Sequence, residues 1–317
     1  SSEGNELMSI IRSSSYYKVV NGHAWSTAES NAIALGGNLV SINDESESSW
    51  LGTQFSQVSY QYPGDDSNGS STINHYWVGG KRNSDGNWEW SSGQSFNSSL
   101  SSLWINDNSS TYNRLLAIFN NPNHSNPYIY LDDMDNSASG SFKGIAEIPL
   151  SYFSVSDVSI TEGDSGNVTI SRTGGTNTAQ TLNLVSSNGT ATASSDYTAI
   201  NTTISFAAGE TSKTFSISTT EDSSIESDET FSLTLTASGS DNVPAQITDE
   251  SATVTVRDND ITVTTGNDNL TSTSDDDFID GEEGSDTVTF SGSFSNYSFT
   301  RTTTTLQIVD QRTTGTT

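Results

Sequence analysis

Five carboxylates crowd into nine residues of this chain, at Glu221, Asp222, Glu226, Asp228 and Glu229. Like charges about 4 Å apart repel by roughly 4 kcal/mol at an effective dielectric near 20. Such a run is either a solvated acidic loop or a set of hard oxygen ligands held together by a divalent cation. Other acids stand where strands are expected to end: Glu162 after an early strand, Asp196 before Tyr197, and Asp258 and Asp260 at the close of a late one. A second pattern is periodic. Asp268, Asp277 and Asp286 are spaced evenly, and so are Leu270, Ile279 and Val288, and Gly266, Asp275 and Gly284. The shared unit is G-x-D-x-U, with U a large apolar residue and Asp replacing Gly in the middle copy. A nonapeptide of this kind suits a parallel β-roll, in which U points inward and stacked aspartates chelate calcium.

Catalytic chemistry has no comparable signature. His23, His75 and His124 stand apart, with no HExxH spacing, no G-x-S-x-G elbow and no phosphate-binding glycine loop. The chain is therefore read as non-enzymatic. With no cysteine, disulfides, thiolate metal sites and cysteine catalysis are excluded. Calcium is then the expected stabiliser of an extracellular fold. A net charge of −28 argues against nucleic acid as partner. No apolar run is long enough to span a membrane. Ser1 opens no charged-then-apolar leader, so the sequence is read as a piece of a larger protein.

The elements that must position these residues fall into three regions, and the chain is expected to be multidomain and mainly β. Residues 1–150 open with a strand at 16–20. A helix follows that Ser26 and Glu29 are expected to cap and Gly36-Gly37 to stop, with Trp25, Ala28, Ala32 and Leu35 on one face. A strand is expected at 38–42. Asp44 and Glu47 begin a second helix, whose apolar face is Trp50, Leu51, Phe55 and Val58. A loop at 63–72 precedes Trp77-Val78-Gly79-Gly80, an Asp-Gly turn and Trp88-Glu89-Trp90. Over 151–260 apolar residues alternate, at Val168/Ile170, Leu182/Leu184, Ile204/Phe206, Phe215/Ile217, Phe231/Leu233/Leu235 and Val254/Val256. That pattern predicts a seven-strand antiparallel β-sandwich. Residues 261–317 carry the nonapeptide period and predict a short parallel β-roll-like module.

Each region resembles a known module. AWSTAESNAIALGGNLVSINDESESSWL, WVGG, NWEWSSGQ and FKGIAEIPL resemble the two helices, core strand, following strand and closing strand of the α+β C-type lectin-like domain. The resemblance implies a carbohydrate-binding calcium site, for which Asn106, Asp107, Asn108, Asn113, Asp132 and Asp133 are the candidate ligands. The sequence departs from that family where Ile105–Asn108 lacks the loop proline and Tyr130-Leu131-Asp132 keeps only the Asp of the WND motif. VSDVSITEGDSGNVTISRTG, SSDYTAI, TISFAAGETSKTFSISTTEDSSIESDETFSLTL and ATVTVRDND resemble the Calx-beta domain. That implies calcium at one end of the sandwich, on Glu162, Asp196, Glu221, Asp222, Glu226, Glu229, Asp258 and Asp260, with Asn259 where one further acid is usual. The 266–288 period resembles the RTX (haemolysin-type) repeat, which implies calcium on Asp268, Asp277 and Asp286, with one complete stack between the 266 and 284 copies. FSGSFSNYSFTRTTTTLQIVD resembles the strands that follow such repeats.

Together these imply a calcium-binding, secreted or cell-surface segment of a large bacterial adhesin, its lectin-like head meeting a glycan or a surface protein. Two alternatives stand beside it. One is a structural subunit of a surface layer, sheath or filament that contacts copies of itself. The other is an accessory region of an RTX-type toxin or hydrolase.

Overall fold

A computed structural model describes residues 8–55, 74–97, 104–106, 112–119, 129–135, 142–222, 224–260, 264–271, 283–290, 293–301 and 306–310. The expected loop at 63–72, Val58, Asp107, Asn108, Asp275, Asp277 and Ile279 lie outside these residues.

The first region builds one sheet from β1 (Ser9–Arg12), β2 (Ser15–Asn21), β3 (Asn38–Leu39), β4 (Asn74–Arg82), β5 (Trp88–Trp90), β6 (Trp104–Asn106), β7 (Arg114–Phe119), β8 (Tyr130–Met134) and β9 (Lys143–Pro149). The order is β1-β2-β9-β4-β7-β8-β6, with β3 added on β9 and β5 on β4. Two helices accompany it, α1 (Trp25–Ala34) and α2 (Glu45–Phe55). The expected apolar faces point inward: Trp25, Ala28 and Ala32 of α1 and Leu51 and Phe55 of α2 are buried.

The two helix starts differ from each other. At α2 the expected cap forms, with Glu47 N donating to Asp44 Oδ1 at 2.7 Å and Glu47 Oε2 accepting from Asn43 N at 2.9 Å. At α1 it does not. Ala24 is the capping residue, no side chain caps the helix, and Ser26 is exposed. Glu29 instead turns inward, 6% exposed, and accepts from Leu39 N at 2.8 Å and Asn38 Nδ2 at 2.9 Å. Two donors at the start of β3, the Leu39 amide buried and the Asn38 amide half-buried, outcompete a solvated helix terminus for that carboxylate. Gly36-Gly37 ends α1 as expected. Gly36 sits at φ +86°, Gly36 N donates to Ile33 O and Gly37 N to Ala32 O, which is a Schellman motif.

Residues 151–257 form two packed sheets from β10 (Ser151–Val155), β11 (Val158–Thr161), β12 (Ser165–Gly174), β13 (Gln180–Asn188), β14 (Asn201–Phe206), β15 (Ser212–Ser218), β16 (Glu229–Ala237), β17 (Gln246–Asp249) and β18 (Ser251–Arg257). One sheet runs β15-β12-β10-β17 and the other β11-β18-β16-β13-β14. The sandwich therefore has nine strands, not seven, and two of its pairings, β10–β17 and β11–β18, are parallel. Two segments cross between sheets. The first breaks at Ser156-Asp157, where Asp157 Oδ1 accepts from Thr253 N at 2.7 Å, and the second at Glu250, whose carbonyl accepts from Leu235 N. Between the sheets lie Phe153, Val168, Ile170, Leu182, Leu184, Phe206, Phe231, Leu233, Leu235 and Val254. Full burial of each such side chain is worth about 1.5–3 kcal/mol.

Beyond the sandwich, β19 (Asn269–Thr271) and β20 (Thr287–Thr289) pair in parallel, with Leu270 beside Val288. Asp268 N donates to Asp286 Oδ1 at 3.0 Å, and Leu270 is buried. A hairpin of β21 (Tyr297–Arg301) and β22 (Leu306–Asp310) follows. Among the described residues no helix is long and apolar enough to cross a membrane.

Candidate metal centre

The acids of the sandwich converge because four chain segments end at the same place. β11 delivers Glu162, whose backbone N donates to Arg257 O at 2.9 Å, so the ends of β11 and β18 are tied together. β18 runs on into Asp258 and Asp260. The turn after β13 brings Asp196, and the β15–β16 connection brings Glu221 to Glu229. Backbone bonds from Thr219 N to Asp164 O and from Thr220 N to Asp196 O bind that connection to both neighbouring turns. Under the cluster Tyr197 stacks flat on Phe231 at 3.7 Å, and its hydroxyl donates to Asn188 Oδ1.

Two groups of carboxylates result. Glu162, Asp258 and Asp260 have ligand atoms all within 4.8 Å of one another, and so do Asp196, Glu226 and Glu229. One small cleft joins them, lined by Glu162, Asp196, Glu226, Ser227, Glu229, Val256 and Asp258. Glu221 belongs to the same end: a Cβ at Gly163, which takes φ +78°, would strike its carboxylate. Asp222 bears on Glu162 electrostatically and turns its own loop through Ser224 N to Oδ1 at 2.6 Å. All eight carboxylates expected from the sequence thus lie at one end of the sandwich. Asp228, in the same run, is exposed and joins neither group.

The electrostatics are those of crowded like charges. Glu162 is 7% exposed, and burial, followed by Asp222, Glu221, Asp258 and Asp260, pushes its carboxyl up to about 7. Glu226 is raised by desolvation and then by Asp222 and Asp196, and Glu229 by desolvation and then by Asp196 and Glu226. Oδ1 of Asp258 is buried and accepts no hydrogen bond among the described residues. A buried carboxylate oxygen of that kind is costly unless something positive meets it. The donor set is all hard oxygen, which suits calcium and not a soft metal. Asn259, standing where one more acid was expected, is 6% exposed, and its Nδ2 faces Glu162 O at 3.5 Å. Its amide thus lies against the backbone of Glu162. Such a contact, like the Tyr197–Phe231 stack, is visible only in three dimensions.

The other candidates are less assembled. Asn106 on β6 is paired in register with Asp132 on β8. Asp132 and its neighbour Asp133 are consecutive on β8, the first half-buried and the second buried. Burial, and then Asp133, raises the Asp132 carboxyl. Asn113 is exposed just before β7. In the last module the Asp268 carboxylate accepts from Thr264 N at 2.8 Å and Thr264 Oγ1 at 3.0 Å. Among the described residues neither Asp268 nor Asp286 belongs to a cluster of three metal-ligating side chains.

A family model for the Calx-beta domain matches residues 146–260. Similar solved structures include the apo form of the Calx CBD1 domain, at 22% identity and TM-score 0.31, covering 34% of this chain and 97% of that one. CBD12 from CALX1.2 follows at 23% identity and TM-score 0.31, and the calcium binding domain CBD12 of CALX1.1 at 25% and 0.30. This chain spans 45% and 44% of the length of those two. A search of curated proteins finds no match.

Proposed function

We propose that this chain is a non-enzymatic, calcium-binding segment of an extracellular recognition protein, with calcium held at the acidic end of the β-sandwich. The observation that carries the reading is the pair of three-carboxylate groups sharing one cleft, at Glu162/Asp258/Asp260 and Asp196/Glu226/Glu229. Glu221 and Asp222 complete the ring of charge. The Calx-beta match over the same residues supports calcium as the ion. Calcium bound there clamps the β15–β16 connection to the end of β18, and so stiffens the exit towards residue 264.

In this reading the modules divide the work. The first region is the head, presenting the 104–135 segment to a glycan or a surface protein. The sandwich and the module after it form the stalk, with Asp268, Asp277 and Asp286 as a second calcium station in the last module. Isothermal titration of the whole chain with calcium, beside melting curves in calcium and in EDTA, tests the central claim. Binding with a raised melting temperature is the expected result. An unchanged melting temperature at low salt sinks it. A glycan array run in calcium, in EDTA and with Asp132→Ala tests the head, and saturable binding lost under both treatments is expected there. Ordered self-assembly on adding calcium would transfer the chain to the class of surface-layer or filament subunits.

A further inference from the structure

The acidic cleft occupies one end of the sandwich, and the opposite end is built differently. There the loops after β12 and β16 lie against the first module. Val243 is 2% exposed and packs in one apolar cluster with Trp25, Leu39, Ile148 and Leu150 of the first module and its exit. Asn177 Nδ2 donates to Gly36 O at 3.0 Å, across the two modules. A Cβ at Gly36 would run into the Thr178 methyl, so the glycine that ends α1 is also the contact point for the sandwich.

The docking loops are themselves held from below. Gln180 Nε2 donates to Val243 O at 3.1 Å, and Asp241 Oδ2 accepts from Thr181 N at 2.7 Å. Arg172, 3% exposed, spends its guanidinium on Thr178 O at 2.7 Å, Gly175 O at 3.1 Å, Ser151 Oγ at 2.9 Å and Ala207 O at 3.4 Å. Leu150 N donates to Ser14 O and Leu150 O accepts from Gly175 N, so the connecting residue is bonded into both modules. A flexible linker has none of these features.

From this arrangement we infer that the first module and the sandwich form one rigid body through a preformed apolar junction, whatever the state of the acidic end. Metal-dependent motion is then confined to the exit from β18. The junction stands on contacts of its own, and only this confinement rests on the calcium reading above.

Because the chain has no cysteine, two introduced cysteines are the only labelling sites. Spin labels at the exposed positions of Ser30→Cys and Ser205→Cys report the junction, and labels at Ser205→Cys and Thr289→Cys report the exit. For the first pair a narrow distance distribution is expected, superimposable in calcium and in EDTA. A broad distribution, or one that shifts with calcium, overturns the inference. If calcium does not bind at all, the first pair still reads narrow, while the second pair and the titration fail to respond, so the two claims fail separately. Val243→Asp should broaden the first pair, and Asn177→Ala with Val243→Ala is the milder version should the Asp variant not fold. A first pair unaffected by the milder variant overturns the junction as the source of rigidity.

Discussion

At the scale of single residues, Glu162 concentrates the argument. Its carboxyl is raised to about 7, by burial first and by its acidic neighbours second, above the ordinary carboxylate value of the unfolded chain. A group raised in this way adds stability that is fully present below its unfolded pKa and is lost as pH rises through its folded pKa. In EDTA the melting temperature should therefore fall between about pH 5 and pH 8. With saturating calcium the trend should reverse, because the ion takes the ionised carboxylate and releases its proton. A melting series across that range in both buffers checks it, and parallel curves would contradict it. Glu162→Gln separates stability from binding. A charge pair 4 Å apart is worth about 4 kcal/mol at a dielectric near 20. Calcium affinity should accordingly drop by about two orders of magnitude or more, read by titration calorimetry. The same variant should melt higher than the parent in EDTA, since it removes one repelling charge.

At the scale of elements, legibility depended on whether a signal was local. The alternation at Val168/Ile170 through Val254/Val256 needs only neighbours in sequence, and each pair marks an observed strand. The nine-strand count was also written in the chain, as a slip of phase. Phe153 and Val155 point inward, and so do Val158 and Ile160, but one residue too many separates the pairs for one strand to do both. Read as one run, that segment hides its crossing between sheets. The Ser26 cap failed for a different reason, because Glu29 found donors at Asn38 and Leu39 that no local rule weighs. The consequence is measurable. Ser26→Ala should change stability by less than about 0.5 kcal/mol, whereas Glu29→Ala should cost about 1–3 kcal/mol for the donors it abandons. Gly36→Ala should cost about 1–2 kcal/mol for its left-handed φ alone, and more for the clash with Thr178. Urea midpoints of the three variants rank them, and a Ser26→Ala loss equal to that of Glu29→Ala would restore the capping box.

For the whole molecule the decisive fact is polarity: one end of the sandwich is apolar contact and the other is repelling charge. Sequence distinguished the two ends only in part. The acids announced themselves by crowding, but the junction rests on Val243, Asn177 and Gly36, which are far apart in the chain and ordinary in type. Local opening should follow the same polarity, because backbone bonds at the acidic end lie beside crowded, mutually repelling carboxylates when no cation is bound. Amide exchange can read this directly. The amides of Glu162, Asp164, Thr219 and Thr220, which donate to Arg257, Thr161, Asp164 and Asp196, should exchange fast in EDTA. Calcium should slow them by up to about a hundredfold at a hundred times its dissociation constant, provided opening releases the ion. The amides of Leu150, Arg172 and Gly175, which donate to Ser14, Thr211 and Leu150, should exchange at one rate in both conditions. Protection that rises evenly at both ends would mean that the sandwich transmits the cation's effect along its length. Protection confined to the acidic end places the effect of the ion at the exit from β18 and leaves the first module fixed on the sandwich.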